Sequence, residues 1–267
     1  MTGKRLYISF FCVTVLCFAA GAHEFWLQPG KYIYKVGETA VISFKVGENF
    51  NGEPWDLKRH RVVRVEAHHG SAVVDYKTSV KEGQKDNLEI PMSEEGTHLI
   101  VMQSNTAFIK LDGATFNEYL NEDGLSEIVA LREKSKTLND SSREFYSRHA
   151  KLLIQVGNKK DDTFKKEIGL PIEIIPEQNP YHLKKGDVNR YKILWQGKPL
   201  FGALVKVWNR YNNTTAIQNI YSEKNGTIEV RLSNSGEWMI SVVKMVPSTE
   251  KGADWQSYWG SLVFGVN

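Results

Sequence analysis

Residues 222–243 read SEKNGTIEVRLSNSGEWMISVV, two alternating apolar and polar runs separated by turn residues. Asn225-Gly226 is a strong hairpin signal, because a two-residue hairpin turn needs positive φ at its central positions. The same grammar recurs in Ile172–Ile175, Arg190–Trp195, Ala203–Asn209 and Tyr258–Val266. Short strands recurring every ~8–12 residues predict a sandwich of immunoglobulin-like or transthyretin-like architecture.

The preceding half carries the pattern too, in Val41–Val46, Arg61–Ala67, Asn87–Ile90, Thr97–Met102 and Phe108–Leu111. Apolar residues then shift to helical spacing over Thr115–Leu120 and Leu125–Lys136. Asp140–Arg148 is expected to form a third short helix with Asp140 as its N-cap, before Ala150–Val156 returns to strand. Gly169-Leu170-Pro171 marks a boundary. The expectation is mainly β: two β-sandwich domains, 23–168 and 169–267, the first with a helical insertion at about 115–148.

Residues 1–22 have the three parts of a secretory leader. Lys4 and Arg5 supply the positive start, Leu6–Ala19 the apolar run, and Ala20 and Ala22 the small residues of a cleavage site. Cleavage after Ala22 is expected to release an exported, soluble, periplasmic protein beginning at His23. Cys12 and Cys17 leave with the leader, so no disulfide scaffold follows it, and any metal ligands must be His, Asp, Glu or main-chain groups. Without Lys4 and Arg5 the formal charge falls from +3 to +1, too little to draw nucleic acid or an anionic membrane. No later segment is apolar for long enough to span a bilayer as a helix. The sequence holds no HExxH, HxH, GxSxG or phosphate-cradling glycine loop, which predicts a non-catalytic protein.

His23 is the principal metal candidate. As a mature N-terminal residue it offers an α-amine, with an ordinary pKa of about 7.7–8.0, and ring Nδ1, and one ion can take both. Further His or carboxylate ligands would complete a site for nickel, cobalt or copper. Glu24, His68 and His98 are the candidates. Adjacent strand residues face opposite ways, so His68 and His69 cannot both serve one ion, and His68 shares the parity of Glu66. An alternative is a glycan- or envelope-partner-binding module that stacks sugars on exposed tryptophans, with Trp26 and Trp255 as candidates and Trp55 and Trp259 beside them.

Several stretches, taken in order, resemble one bacterial exported family. They are AHEFWLQP, FNEYLNEDGLSEI, REFYSRHAKLLIQVG, GLPIEIIPEQNPYHLKKGD, GKPLFGALVKV and DWQSYWGSLVFGV. That family is a domain of unknown function described as a periplasmic component of nickel or cobalt uptake (a nickel uptake substrate-specific region). The resemblance implies a periplasmic location, a divalent transition-metal cargo and a metal-uptake transporter in the inner membrane as partner.

Overall fold

The computed structural model describes residues 23–83 and 85–266; residues 1–22, the expected leader with Cys12 and Cys17, lie outside the described residues. The amino half contributes β1 (Glu24–Pro29), β2 (Ile33–Tyr34), β3 (Glu38–Glu48), β4 (Asn51–Pro54), β5 (Val62–His69) and β6 (Ala72–Asp75). It continues through β7 (Leu88–Met92), β8 (Gly96–Ser104), β9 (Ala107–Leu111), α1 (Gly113–Glu122), α2 (Ser126–Lys134) and β10 (Ser142–Val156). After residue 168 come β11 (Ile172–Pro176), β12 (Val188–Trp195), β13 (Lys198–Pro199) and β14 (Leu204–Tyr211). The chain closes with β15 (Thr214–Tyr221), β16 (Thr227–Arg231), β17 (Gly236–Pro247) and β18 (Trp255–Val266).

The fold is mainly β, as the turn spacing predicts. A ten-stranded central sheet runs β15-β14-β17-β18-β10-β8-β5-β6, with β2 and β9 also pairing to β10. It draws strands from both sides of residue 168. The joint is a parallel pairing of β10 with β18, from Glu144 opposite Trp255 to Leu152 opposite Val263. One outer sheet (β1, β3, β4, β7) and the two helices cover one face, and a second outer sheet (β11, β12, β13, β16) covers the other.

Alternation explains the two cores. On β8, Ile100 and Met102 enter the first core, whereas Leu99 and Val101 enter the second. On β10, Ala150, Leu152 and Ile154 face the first and Leu153 the second. Strands buried on both faces read as continuous apolar runs, which is why LIVM of β8 and LLI of β10 lack a polar side. The helices pack Phe116, Leu120 and Ile128 on Val243, Met245 and Trp259 in a third cluster. Asp112 caps α1 by accepting from the Thr115 N–H at 3.0 Å.

One expected element is different. Asp140–Arg148 is not helical, and helix ends at Lys134. The segment opens the long strand β10 because its main chain finds ladder partners on both flanks, Ala107–Leu111 of β9 and Trp255–Trp259 of β18. Phe145 and Tyr146 suit a pleated surface, and the tertiary pairing overrides the local cap signal.

Candidate functional site around His23

β1 begins directly after His23 and pairs antiparallel with β3, setting Glu24 opposite Gly47. That register carries Glu48, the last residue of β3, up beside His23. Ring Nδ1 of His23 lies 3.1 Å from Glu48 Oε1, in an orientation that makes no hydrogen bond, and is shielded from solvent. Glu48 itself is 62% exposed. The main chain of His23 is anchored from below: its carbonyl accepts from Arg148 Nη1 at 3.0 Å. Arg148 is buried, its guanidinium 5.4 Å from the ring centre of Phe25 and 5.5 Å from that of Tyr146. Such stacking suits guanidinium, which is weakly hydrated.

Next to this corner is a buried ionic group. Lys206 Nζ on β14 lies 2.6 Å from Asp123 Oδ1, just past α1, and 3.3 Å from Glu24 Oε1. Two carboxylates share one ammonium, so full ionisation would leave a net negative charge out of water. Burial accordingly raises Asp123 to about 7 against the pull of Lys206, and burial raises Glu24 as well. The two carboxylates hold Lys206 protonated despite its own burial. Behind them Glu144 is buried and rises to about 7 by desolvation, although Tyr119 donates to it at 3.2 Å and Ser257 Oγ donates as well. Glu24, Glu48, Glu122, Asn121, Lys206 and Trp208 are among the residues lining an open cleft of about 600 Å³.

The residues expected as metal ligands are not assembled into one set. Among the described residues no group of three or more His, Cys, Asp or Glu side chains is placed to hold a metal ion. The Glu24 carboxylate is taken by Lys206. His68 Nε2 lies 2.9 Å from Glu66, as their shared parity predicts, and Arg64 grips the same carboxylate at 2.6 and 2.7 Å. His98 Nε2 donates to the Glu94 carbonyl at 2.9 Å, and its ring stacks on His69 at 4.4 Å and 12°. Lone pairs of parallel rings do not converge on one ion. Burial lowers the pKa of both His68 and His98.

The tryptophans also differ from expectation. Trp26 is 1% exposed, because β1 turns it into the first core, where Nε1 donates to Gln28 Oε1 at 3.0 Å. Trp259 is buried, and Trp55 and Trp255 are half-buried against apolar clusters. No tryptophan among the described residues is exposed as a flat platform. Sequence reasoning missed Glu48, Asp123, Lys206 and Arg148. The available signal was a cation inside an otherwise apolar strand, Lys206 in ALVKVW; Arg148, among His149 and Lys151, carried no such signal.

No curated protein matches the chain. Among solved structures it is similar to Escherichia coli alpha-2-macroglobulin activated by porcine elastase, at 12% identity and a TM-score of 0.22. That match covers 92% of this chain but only 22% of the other, so the chain spans about a fifth of its length. Residues 20–245 match the family Domain of unknown function (DUF4198), and the match stops within β17, ahead of β18. On that extent, the chain belongs to the DUF4198 family, whose domain is of unknown function.

Proposed function

We propose that this chain is exported, trimmed after Ala22, and binds a divalent transition-metal ion, nickel or cobalt with copper as a further option, in support of metal uptake or delivery. The ligands are the freed α-amine of His23, its ring Nδ1 and the Glu48 carboxylate. One observation carries the reading: the Nδ1 that would close a chelate with the amine is shielded, makes no hydrogen bond, and lies 3.1 Å from a carboxylate oxygen. Nitrogen and carboxylate donors suit these borderline ions. Arg148 supports the chelate by fixing the His23 carbonyl, the outer-shell role that keeps a ligand in one pose. The bound ion would leave positions open toward the cleft, where an inner-membrane transporter or a small co-ligand can reach it.

The test is metal titration of protein whose first residue is verified as His23 by mass spectrometry. Calorimetry and visible absorbance with nickel, cobalt and copper salts should show one tight site. A single extra residue ahead of His23, or Glu48→Ala, should remove that tight phase without unfolding the protein. Equal affinity in the extended protein defeats the reading.

A further inference from the structure

The outer strands of the three sheets are protected in recurring ways. β1 carries Glu24 and Pro29, β4 carries Glu53 and Pro54, β7 carries Glu89 and Pro91, and β9 carries Lys110. β6 ends in Asp75, β11 holds Glu173 and Pro176, β13 is Lys198-Pro199, and β16 has Glu229 and Arg231. Charge, proline and shortness are the devices that stop a strand from recruiting another. β2 has only two residues. β15 is the exception: eight residues long, without charge or proline, and last in the central sheet.

Its free side can be read from the register. Asn212 and Asn213, both at positive φ (48° and 59°), make the two-residue turn that joins β14 to β15. The closing pair Tyr211–Thr214 is then a hydrogen-bonded one, and such pairs alternate along the ladder. Ser222, an even-numbered residue like Thr214, duly donates its N–H to Ala203 O at 2.9 Å. The N–H and C=O groups of Thr215, Ile217, Asn219 and Tyr221 therefore point to the open edge. Exposed apolar side chains accompany them: Ile217 midway, Tyr221 (61%) and Phe201 (64%) at one end, Tyr211 at the other.

We propose that β15 pairs antiparallel with β15 of a second copy of this chain, about a two-fold axis near Ile217. Self-pairing of an uncharged strand sets no like charges opposite each other. The antiparallel sense also brings Tyr211 of one copy to the Tyr221 and Phe201 end of the other, covering both apolar ends at once. The axis is perpendicular to the sheet, so the face bearing Ile217, Asn219 and Tyr221 is shared. Those three residues line the cleft beside His23, so the clefts of the two copies meet across the axis. This assembly does not depend on metal binding.

Light scattering with size exclusion on the chain starting at His23 should give twice the protomer mass, dissociating on dilution. Ile217→Lys should give the protomer mass with the far-ultraviolet circular dichroism of the parent and a melting temperature that no longer depends on concentration, whereas Val73→Lys on the opposite edge should leave the dimer intact. The chain from His23 on has no cysteine, so Ile217→Cys provides a second measurement. It should form a disulfide-linked dimer under mild oxidant, and Val73→Cys should not. A protein that is monomeric at every concentration, or a dimer that survives Ile217→Lys and yields no Ile217→Cys cross-link, overturns the proposal.

Discussion

Lys151 Nζ lies 2.9 Å from Glu173 Oε1, with both side chains only 1% exposed. The pair sits between β10 and β11, and the same carboxylate accepts from the N–H groups of Ile168 and Gly169 at 2.8 and 2.9 Å. A buried ion pair contributes little net stability over an apolar pair, but removing one partner strands the other charge. Lys151→Met should therefore destabilise the protein by about 3–5 kcal/mol in urea unfolding. Glu173→Gln should cost less than Lys151→Met, because the amide oxygen keeps part of the main-chain contact.

His149 is buried on β10, its Nε2 3.0 Å from Ser147 Oγ and its Nδ1 without a partner. Burial alone pushes its pKa down to about 4. In the unfolded chain the ring protonates near 6.5, so between about 6.5 and 4 the unfolded state binds the extra proton and stability falls as pH falls. The contribution is about 3 kcal/mol across that window. Unfolding free energies measured at stepped pH should show a shallower decline for His149→Phe than for the parent.

Glu144 has the opposite sign. Its folded pKa is about 7 because of burial, against an ordinary carboxylate value near 4.3. The folded state holds a proton that the unfolded state releases within that window, so this group's contribution falls as pH rises from about 4.3 to 7. Glu144→Gln should be more stable than the parent at pH 8, by about 3–4 kcal/mol, and the advantage should vanish near pH 4. Identical differences at the two pH values would contradict the assignment.

Gly52, on β4, leaves room for a core ring: a Cβ there would collide with Cη2 of Trp26. Gly52→Ala should cost about 1–3 kcal/mol, the usual range for overpacking a full core. The change should also shift Trp26 relative to Phe50, whose ring centre is 5.4 Å away. Near-ultraviolet circular dichroism reports that shift directly.

Strands that alternate, or that are flanked by strong turns, were legible from residues alone. Val41–Val46, inside β3, is an example; Asn225-Gly226 does make a turn, but not the expected hairpin, because β15 before it and β16 after it lie in different sheets. β1 was not, because EFWLQP is buried at nearly every position and shows no period of two. β15 escaped for the opposite reason: TTAIQNIY is mostly exposed and polar. The chemistry around His23 was half legible. The histidine itself stood out, but Glu48 reaches it only through the β1–β3 register, and Lys206 meets Glu24 across 182 residues. Pairing register and sheet order are tertiary facts, and local patterns do not encode them.

The placement of β18 has a kinetic consequence. Trp255–Val266 lies inside the sheet, between β17 and β10, and its partner Glu144–Leu152 precedes it by 111 residues. A chain emerging amino end first holds β10 with one flank open until its last strand arrives. Long-range parallel pairing of this kind closes slowly, since the loop entropy comes before the contacts that offset it. The pairing of β18 with β10 is thus the contact that joins the two parts of the central sheet, β15-β14-β17 on one side and β10-β8-β5-β6 on the other.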